Sequence, residues 1–496
     1  MRTLVAAALV PFAILITAPQ AALAAEPVAS AAVPSSSMQW SACEGASLAG
    51  FDCAMFAVPR DYANPTVGVF DLAVARHRSS GTPEQRIGSL FFNPGGPGGS
   101  GLETIAQAWE ALPQGVKGTF DLVSWDPRGV GKSLPLVSCQ SGGMTLPLTG
   151  SVDWAAAYEQ MRSSTQRTHA TCLKANADVL PYVGTMNVVR DLDAMRAAVG
   201  DDQLTYWGMS YGTRIGYAYA LTYPGRVRQM VLDGPVNPNG TLKDFANTYA
   251  VSADTALGLF FQLYPQARMH LDSSLARLQA AALTLPSKAV FSRWSLLQYA
   301  EATARSEASW AGLDRLLGIV DEALTGAQPN ADAAKAFLDQ VYAETPKSNH
   351  IEGAPAVIGA IDCLDYPDRP TAAGQDATGK LIRRQAPIAG WMNYITLASQ
   401  CAGLDLVPDA VPTSFAPVDG SRVLISASTR DAATAYGWAA SMARAFQGAR
   451  VLTYVGGQHV NYAVLGSSCV NDVVSAFFVN GTVPATDVAC PNLGRS

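Results

Sequence analysis

Short apolar strands that alternate with helical segments constrain the fold of this chain more than any other feature. Six runs rich in β-branched and aromatic residues end abruptly at glycine, proline or aspartate: "IGSLFFNPGG", "FDLVSWDPRG", "QLTYWGMS", "QMVLDGP", "RVLISASTRD" and "RVLTYVGGQH". Segments with helical spacing, such as "NVVRDLDAMRAAVG", lie between most of them. This alternation predicts a mostly parallel α/β sheet with helices on both faces. Functional groups in such sheets gather beyond the carboxyl ends of the strands.

The alternation stops between about Pro238 and Pro417, where segments such as "DTALGLFFQLY" and "SSLARLQAAALTL" are mostly helical. The strands then return to complete the sheet. A helical insertion of this kind predicts a lid over the strand ends. The predicted organisation is a signal peptide (1–24), a first part of the α/β core (25–237), a helical lid (238–417) and a C-terminal part of the core (418–496).

The first residues, "MRTLVAAALVPFAILITAPQAALAAEP", have the pattern of an export signal. Arg2 supplies the positive start, an apolar run follows, and "ALA" before residue 25 offers a small-residue cleavage site. A membrane anchor is the competing interpretation, but Pro11 and Pro19 interrupt a run too short to span a bilayer comfortably. We therefore expect a secreted or extracytoplasmic protein without a membrane span.

The cysteines agree with export. Their number is eight, and proximity along the chain suggests the pairs Cys43 with Cys53, Cys139 with Cys172, Cys363 with Cys401, and Cys469 with Cys490. A metal site is the alternative, but the chain has no C-x-x-C pair and its five histidines are scattered. The sequence predicts four disulfides and no metal.

Charge and motif patterns exclude several ligand classes. The net charge is −6 and no basic run occurs, which argues against nucleic acid and anionic membranes as partners. The segment "DPRGVGKS" ends like a phosphate-binding loop, but Asp126 stands where that loop needs its first glycine. It is better interpreted as a turn at a strand end. We expect no cofactor, and the sequence leaves the oligomeric state open.

The segment "YWGMSYGTRIGYAYA" places Ser210 between Gly208 and Gly212. A plausible buried strand precedes the serine and a plausible helix follows it. This is the setting of a nucleophile elbow, since the glycines permit the tight turn and the helix N-terminus favours developing negative charge. An ordinary serine in a glycine-rich connection is the alternative. The context favours Ser210 as a nucleophile.

A serine nucleophile needs a base and an acid that orients the base, in the chain order serine, acid, histidine on such a sheet. The histidines that do not fit this order precede the serine or lie in the insertion: His77, His169, His270 and His350. His459 follows a late strand in "LTYVGGQHVNY", and Asp431 follows the preceding strand in "LISASTRDAAT". Asp431 could also cap the next helix, a role compatible with catalysis. The predicted triad is Ser210, Asp431 and His459.

Acyl transfer also needs donors for the oxyanion. The glycine-rich loop "FFNPGGPGGSG" directly follows a strand, and no side chains block its amides. We expect the amide of Gly96, with Gly95 as the alternative, to act together with the amide of Tyr211.

Several motifs together carry a family resemblance: "NPGGPGGSG", "WDPRGVGKS", "YWGMSYGTRIGYAYALTYP", "VLDGPVNP" and the closing pattern "SSCVNDVVSAFFVNGTVPATDVAC". The chain resembles exported tripeptidyl aminopeptidases of the proline iminopeptidase family, which are α/β-hydrolase serine peptidases. The resemblance covers nearly all of the mature chain. It implies an α/β-hydrolase core, a lid, and cleavage of short peptides from free N-termini.

Two segments depart from the family pattern. The acid is followed by "AATA" rather than by x-x-Thr-Pro, and His459 lies in "GQHV" rather than in Gly-His-Gly. Neither departure removes a triad member, and both change the edge of the pocket. They bear on substrate preference more than on the chemistry.

Three functions are compatible with these residues. The first is an exported serine exopeptidase that releases di- or tripeptides, the second an esterase or lipase on the same scaffold, and the third a binding protein without catalysis. An exopeptidase must recognise a free ammonium group, which a lid carboxylate could bind. Asp365 and Glu352 are the leading candidates, with Glu301 and Glu307 also in the insertion.

Overall fold

The computed structural model describes residues 38–326, 329–342, 350–352, 355–369, 371–412 and 418–493. The predicted signal peptide, 1–24, lies outside the described residues.

The described strands are Ser41–Ala42 (β1), Asp52–Pro59 (β2), Val69–His77 (β3), Gly88–Asn93 (β4), Phe120–Trp125 (β5), Gly143–Thr145 (β6), Leu204–Met209 (β7), Val227–Asp233 (β8), Leu283–Thr284 (β9), Val290–Phe291 (β10), His350–Glu352 (β11), Val423–Ser428 (β12), Arg450–Tyr454 (β13) and Val488–Cys490 (β14). The described α-helices are Gly101–Ala111 (α1), Gln114–Lys117 (α2), Trp154–Ala175 (α3), Thr185–Ala198 (α4), Gly212–Thr222 (α5), Leu242–Leu263 (α6), Pro265–Ala280 (α7), Arg293–Ala304 (α8), Trp310–Thr325 (α9), Asn330–Tyr342 (α10), Ala356–Asp365 (α11), Ala372–Gln385 (α12), Trp391–Ala398 (α13), Gly437–Ala445 (α14) and Ser468–Asn480 (α15). Short 3₁₀ turns occupy Ala46–Leu48, Pro65–Val67, Pro83–Gln85, Leu180–Tyr182, Pro224–Arg226, Glu307–Ser309 and Gly420–Arg422.

One large sheet forms the centre of the molecule, with the strand order β1-β2-β3-β5-β4-β7-β8-β12-β13-β14. The pairings from β5 to β14 are parallel, and those among β1, β2, β3 and β5 are antiparallel. All six apolar runs of the sequence become strands of this sheet: β4, β5, β7, β8, β12 and β13. The predicted mostly parallel α/β sheet is confirmed.

The central strands are buried on both faces, which explains why they are apolar throughout. Along β7, Tyr206 packs into a core with Ile215 of α5, while the next residue, Trp207, faces a second core with Phe478 of α15. The same division continues along β8 and β12. Helices α4, α5 and α14 therefore cover one face, and α1 and α15 cover the other.

Helices α6 to α13 lie between β8 and β12, and all of them except α11 contribute to a third core centred on large side chains such as Phe260, Trp310 and Tyr394. Helix α11 packs instead into the core that contains Tyr206 and Ile215. Met144 of β6 and Met161 of α3 also pack into the third core. The helical part of the molecule thus includes segments that precede Ser210 in the chain, in addition to the predicted insertion.

Four disulfides join Cys43 to Cys53, Cys139 to Cys172, Cys363 to Cys401, and Cys469 to Cys490. These are the pairs expected from proximity along the sequence. Within the described ranges no helix is both long and apolar enough to cross a membrane. A search of those residues also finds no cluster of side chains able to hold a metal ion.

Candidate active site

Ser210 lies at the sharp turn between β7 and α5 with φ of 53°, in the left-handed region that non-glycine residues rarely adopt. Its N–H donates to the carbonyl of Asp233 at 2.8 Å, which ties the turn to the end of β8. A side chain at Gly212 would place its Cβ 2.8 Å from the carbonyl oxygen of Asn93. The strain and the close backbone approach are those of a nucleophile elbow.

Asp431 and His459 form a hydrogen-bonded pair beyond the ends of β12 and β13. His459 Nδ1 lies 2.9 Å from Oδ2 and 3.0 Å from Oδ1 of the carboxylate. The carboxylate also accepts the N–H groups of Ala433 and Thr434, at 2.7 and 2.9 Å, and the Thr434 hydroxyl at 3.0 Å. Helix α14 begins only at Gly437, so Asp431 does not cap it. The aspartate is instead fixed by its own turn and aimed at the histidine.

The surroundings of His459 favour its protonated form. Burial lowers the pKa of the imidazole, but the charge and the hydrogen bond of Asp431 outweigh burial, and Asp233 adds to their effect. The positive charge of Arg305, from the lid, acts in the opposite direction. The net result is a pKa above the ordinary value of histidine. The imidazole is thus a stronger base than usual.

His459 lies beside the elbow that carries Ser210. A side chain at Gly234 would come within 3.2 Å of His459 Cε1, and Gly234 directly follows the residue whose carbonyl holds the Ser210 N–H. Among the described residues the Ser210 hydroxyl makes no hydrogen bond. Such contacts are commonly long in the absence of substrate and shorten when it binds.

Two backbone N–H groups beside the elbow are available for an oxyanion. The Gly95 N–H donates to Asn93 Oδ1 at 3.0 Å, so this alternative donor is already engaged. The N–H groups of Gly96 and Tyr211 have no acceptor in the part of the chain that the structure describes. A Cβ on Gly95 would lie 3.1 Å from the Tyr211 nitrogen, which shows how closely the loop approaches the elbow.

Asp365 is not available to bind a substrate amine, because its carboxylate is fully buried in an internal network. Its oxygens accept from the Thr185 N–H at 2.9 Å, the Thr185 hydroxyl at 2.5 Å and Arg214 Nε at 3.1 Å. Since the Thr185 hydroxyl donates to Asp365, it accepts from the hydroxyl of Tyr211. Asp365 therefore supports the residue that follows Ser210, and the expected amine-binding role does not fit it.

Of the remaining amine candidates, the side chain of Glu352 lies outside the described residues, whereas Glu301 is described in detail. Its side chain is 7% exposed and accepts from Arg305 Nε and Nη2 and from Asn393 Nδ2, at 2.9 to 3.0 Å. Oε2 accepts only one of these bonds. Arg305 directly precedes Ser306, whose hydroxyl donates to Oε1 of Gln458 at 2.7 Å, so this end of α8 lies close to the segment that carries His459.

Sequence reasoning did not assign the role that Asp233 has in this structure. Besides holding the Ser210 N–H, Asp233 is buried and accepts the N–H groups of Asn461 and Tyr462 at 2.8 and 2.9 Å. Burial raises its pKa to about 6, although these donors oppose the shift. Asp233 thus joins the elbow to the loop that follows His459. An aspartate at the end of an apolar strand, in "VLDGP", was the available signal.

The "DPRGVGKS" segment is a structural turn after β5. The buried Asp126 carboxylate accepts the Ser100 hydroxyl at 2.5 Å and the Lys132 N–H at 2.7 Å. The Ser133 hydroxyl donates to the Asp126 carbonyl at 2.6 Å. This turn ties the start of α1 to the end of β5, in agreement with its interpretation as a strand-end turn.

Comparison with known proteins gives matches over most of the chain. A family model described as "alpha/beta hydrolase fold" matches residues 88–284, and one described as "TAP-like protein" matches residues 386–490. Serine protease Hip1 of Mycobacterium tuberculosis is 32% identical over 477 residues, which cover 88% of this chain and 87% of that protein. A tripeptidyl aminopeptidase of Streptomyces lividans is 31% identical over 462 residues, covering 88% and 83% of the two chains. Carboxylesterase B of M. tuberculosis is 29% identical over 455 residues, covering 88% and 86%.

Proposed function

This chain belongs to the TAP-like serine peptidases of the α/β-hydrolase fold, and from that premise we propose that it is an exported exopeptidase that releases di- or tripeptides from free N-termini. The observation that carries the proposal is the hydrogen-bonded Asp431–His459 pair beside a left-handed Ser210 at the carboxyl ends of the central strands. The reaction is acyl transfer through an acyl-enzyme on Ser210, without a cofactor.

Each residue has one task in this reaction. Nε2 of His459 takes the proton of the Ser210 hydroxyl as the oxygen attacks the scissile carbonyl, and returns it to the leaving amine. Asp431 holds the proton on Nδ1 and stabilises the imidazolium that forms. The N–H groups of Gly96 and Tyr211 donate to the oxyanion. Water then attacks the acyl-enzyme, with His459 again taking and returning the proton, and the released peptide leaves Ser210 free.

Export is supported by the N-terminal pattern of 1–24 together with the four disulfides. Disulfides persist in oxidising compartments and are rare in the cytosol. The site of action is therefore outside the cytoplasmic membrane, where peptides are the substrates.

Recognition of a free N-terminus requires a carboxylate within the substrate cleft, and Glu301 suits this task best among the described candidates. It is held by a lid residue, Arg305, and the next residue, Ser306, contacts Gln458 beside His459. Its second oxygen keeps acceptor capacity for an ammonium group. A bound ammonium would complete a charge-assisted network in which Arg305 and the substrate share one carboxylate.

An esterase is the second candidate function, because one relative of similar coverage is named Carboxylesterase B. The same triad serves both reactions, and fold alone does not fix the substrate. The two functions differ in whether a peptide with a free amine is preferred over simple esters.

The nucleophile is tested by Ser210→Ala, with the exposed loop serine of Ser151→Ala as the matched control. We expect Ser210→Ala to lower peptide and ester turnover by a factor on the order of 10⁶ while the fold is retained, and Ser151→Ala to behave as wild type. A serine-directed phosphonate, mapped by peptide mass spectrometry, should modify Ser210. Modification of another residue in the wild-type enzyme would contradict the triad.

A further inference from the structure

We propose that Glu307, in the lid, is a positioning residue that holds the acid loop and the histidine loop in register with each other. The acid loop is 429–434 and the histidine loop is 455–461. The inference rests on the triad of the proposed function and adds to it a lid residue that touches neither Asp431 nor His459.

Glu307 binds the acid loop at Arg430, the residue that precedes Asp431. Arg430 Nε and Nη2 both donate to Glu307 Oε1, at 2.8 and 2.6 Å. Arg430 in turn donates its backbone N–H to the carbonyl of Gly456 at 3.0 Å, so the same residue also contacts the histidine loop. Because Arg430 and Asp431 are joined by a single peptide unit, displacement of Arg430 would also move Asp431.

Glu307 holds the histidine loop through its backbone and its close packing. Its N–H donates to the Gly457 carbonyl at 2.8 Å. A Cβ on Gly457 would lie 2.7 Å from Glu307 Cγ, so only glycine allows this approach. The neighbouring Ser306 hydroxyl donates to Gln458 Oε1 at 2.7 Å, and Gln458 Nε2 donates to the His459 carbonyl at 3.1 Å. The glutamine of the unusual "GQHV" segment is thus the link between lid and base.

The other end of this arrangement packs into the lid core. Glu307 opens the 3₁₀ turn between α8 and α9, and Trp310, which follows that turn, is buried in the core of the lid. The Trp310 indole donates to the Ala304 carbonyl at 3.0 Å and so spans the turn. Glu307 Oε2 accepts from Asn492 Nδ2 at 2.6 Å, which leaves both carboxylate oxygens paired.

Positioning of the two loops explains the contacts of Glu307 better than a contribution to folding stability does. The side chains of Arg430 and Glu307 are 35% and 19% exposed, and ion pairs at such partly hydrated positions add little to folding stability. A catalytic base, by contrast, must be held within a fraction of an ångström of its productive position. Loss of Glu307 should therefore reduce the reactivity of Ser210 more than it lowers the melting temperature.

The experiment compares Glu307→Gln and Glu307→Ala with Asp272→Asn in the full chain. The control removes another arginine-paired lid carboxylate, 2.8 Å from Arg268, that touches neither loop. Two readouts reach the triad without a peptide: the rate of Ser210 labelling by a small phosphonate, and kcat and KM for a small ester. Melting temperature is measured alongside.

We expect the labelling rate and the ester kcat to fall about tenfold in Glu307→Gln and by up to about 100-fold in Glu307→Ala, with the ester KM unchanged. Asp272→Asn should match the labelling rate and ester kcat of wild type, and both Asp272→Asn and Glu307→Gln should change the melting temperature only slightly. Arg430→Gln should add nothing further to Glu307→Gln, because both remove the same contact.

Labelling rates for both Glu307 variants equal to wild type would overturn the inference, as would a change confined to the KM of the ester. Either result leaves the triad intact, provided that Ser210→Ala is inactive. Activity in Ser210→Ala would instead overturn the proposed function, whatever the Glu307 variants do.

Discussion

At the scale of single residues, the proposed chemistry depends on how Asp431 changes the basicity of His459. Asp431 is buried, and both oxygens of its carboxylate accept hydrogen bonds beside the imidazole. Without it, burial and the charge of Arg305 would dominate and lower the pKa of His459. The acid therefore does more than orient the ring.

Asp431→Asn tests this dependence through the pH profile. Because the base must be neutral, wild-type kcat/KM should fall as the pH is lowered through a pKa above about 6.5. In Asp431→Asn, the fall of kcat/KM at acidic pH should begin at a lower pH than in wild type. The maximum value of kcat/KM should be lower by a factor of roughly 10⁴. Asp419→Asn, at an exposed aspartate, should change neither quantity. If kcat/KM of Asp431→Asn falls at the same acidic pH as that of wild type, a group other than Asp431 raises the pKa of His459.

At the scale of elements, the loop after β4 and the elbow after β7 form one structural unit, because they pack backbone against backbone. Gly95 has φ of 94°, and a Cβ there would lie 3.0 Å from Ser210 Cβ and meet the Met209 carbonyl. The glycine is needed both for its conformation and for this approach.

Gly95→Ala should accordingly reduce ester kcat by roughly 10²–10³, the cost of losing one oxyanion donor, since the loop must move away from Tyr211. The control is Gly115→Ala, where an added Cβ meets nothing within 4 Å. Kinetics with a small ester and thermal melts of both variants make the comparison. Wild-type kcat in Gly95→Ala would mean that the oxyanion is held elsewhere.

Local features were predictable from the sequence because they depend on neighbouring residues. The apolar runs fix the strands, and the glycines around Ser210 fix its turn. Asp365 shows where this approach fails. Its partner Arg214 is 151 positions away, so nothing near Asp365 reveals that its charge is already paired. The same holds for Glu307, whose partners Arg430 and Asn492 are 123 and 185 positions distant.

At the scale of the whole molecule, two sets of lid contacts reach the surroundings of the proposed triad. One runs from Asp365 of α11 through Thr185 to Tyr211, behind the nucleophile. The other runs from the turn after α8, where Glu307 reaches the loops of the acid and the base. Glu301 lies on α8, one turn before its partner Arg305, and α8 leads into the turn that carries Glu307. The lid thus supplies both support and the proposed site for a substrate amine.

The most direct test of the central claim is the ratio of kcat/KM for a tripeptide anilide with a free N-terminus to that for the same anilide acetylated at its N-terminus. A charged hydrogen bond to the ammonium predicts a preference of roughly 10- to 150-fold for the free peptide. Glu301→Gln should bring the ratio close to one through a higher KM for the free peptide, with small esters unaffected. Equal rates on the free and the acetylated peptide by the wild-type enzyme would contradict the exopeptidase account.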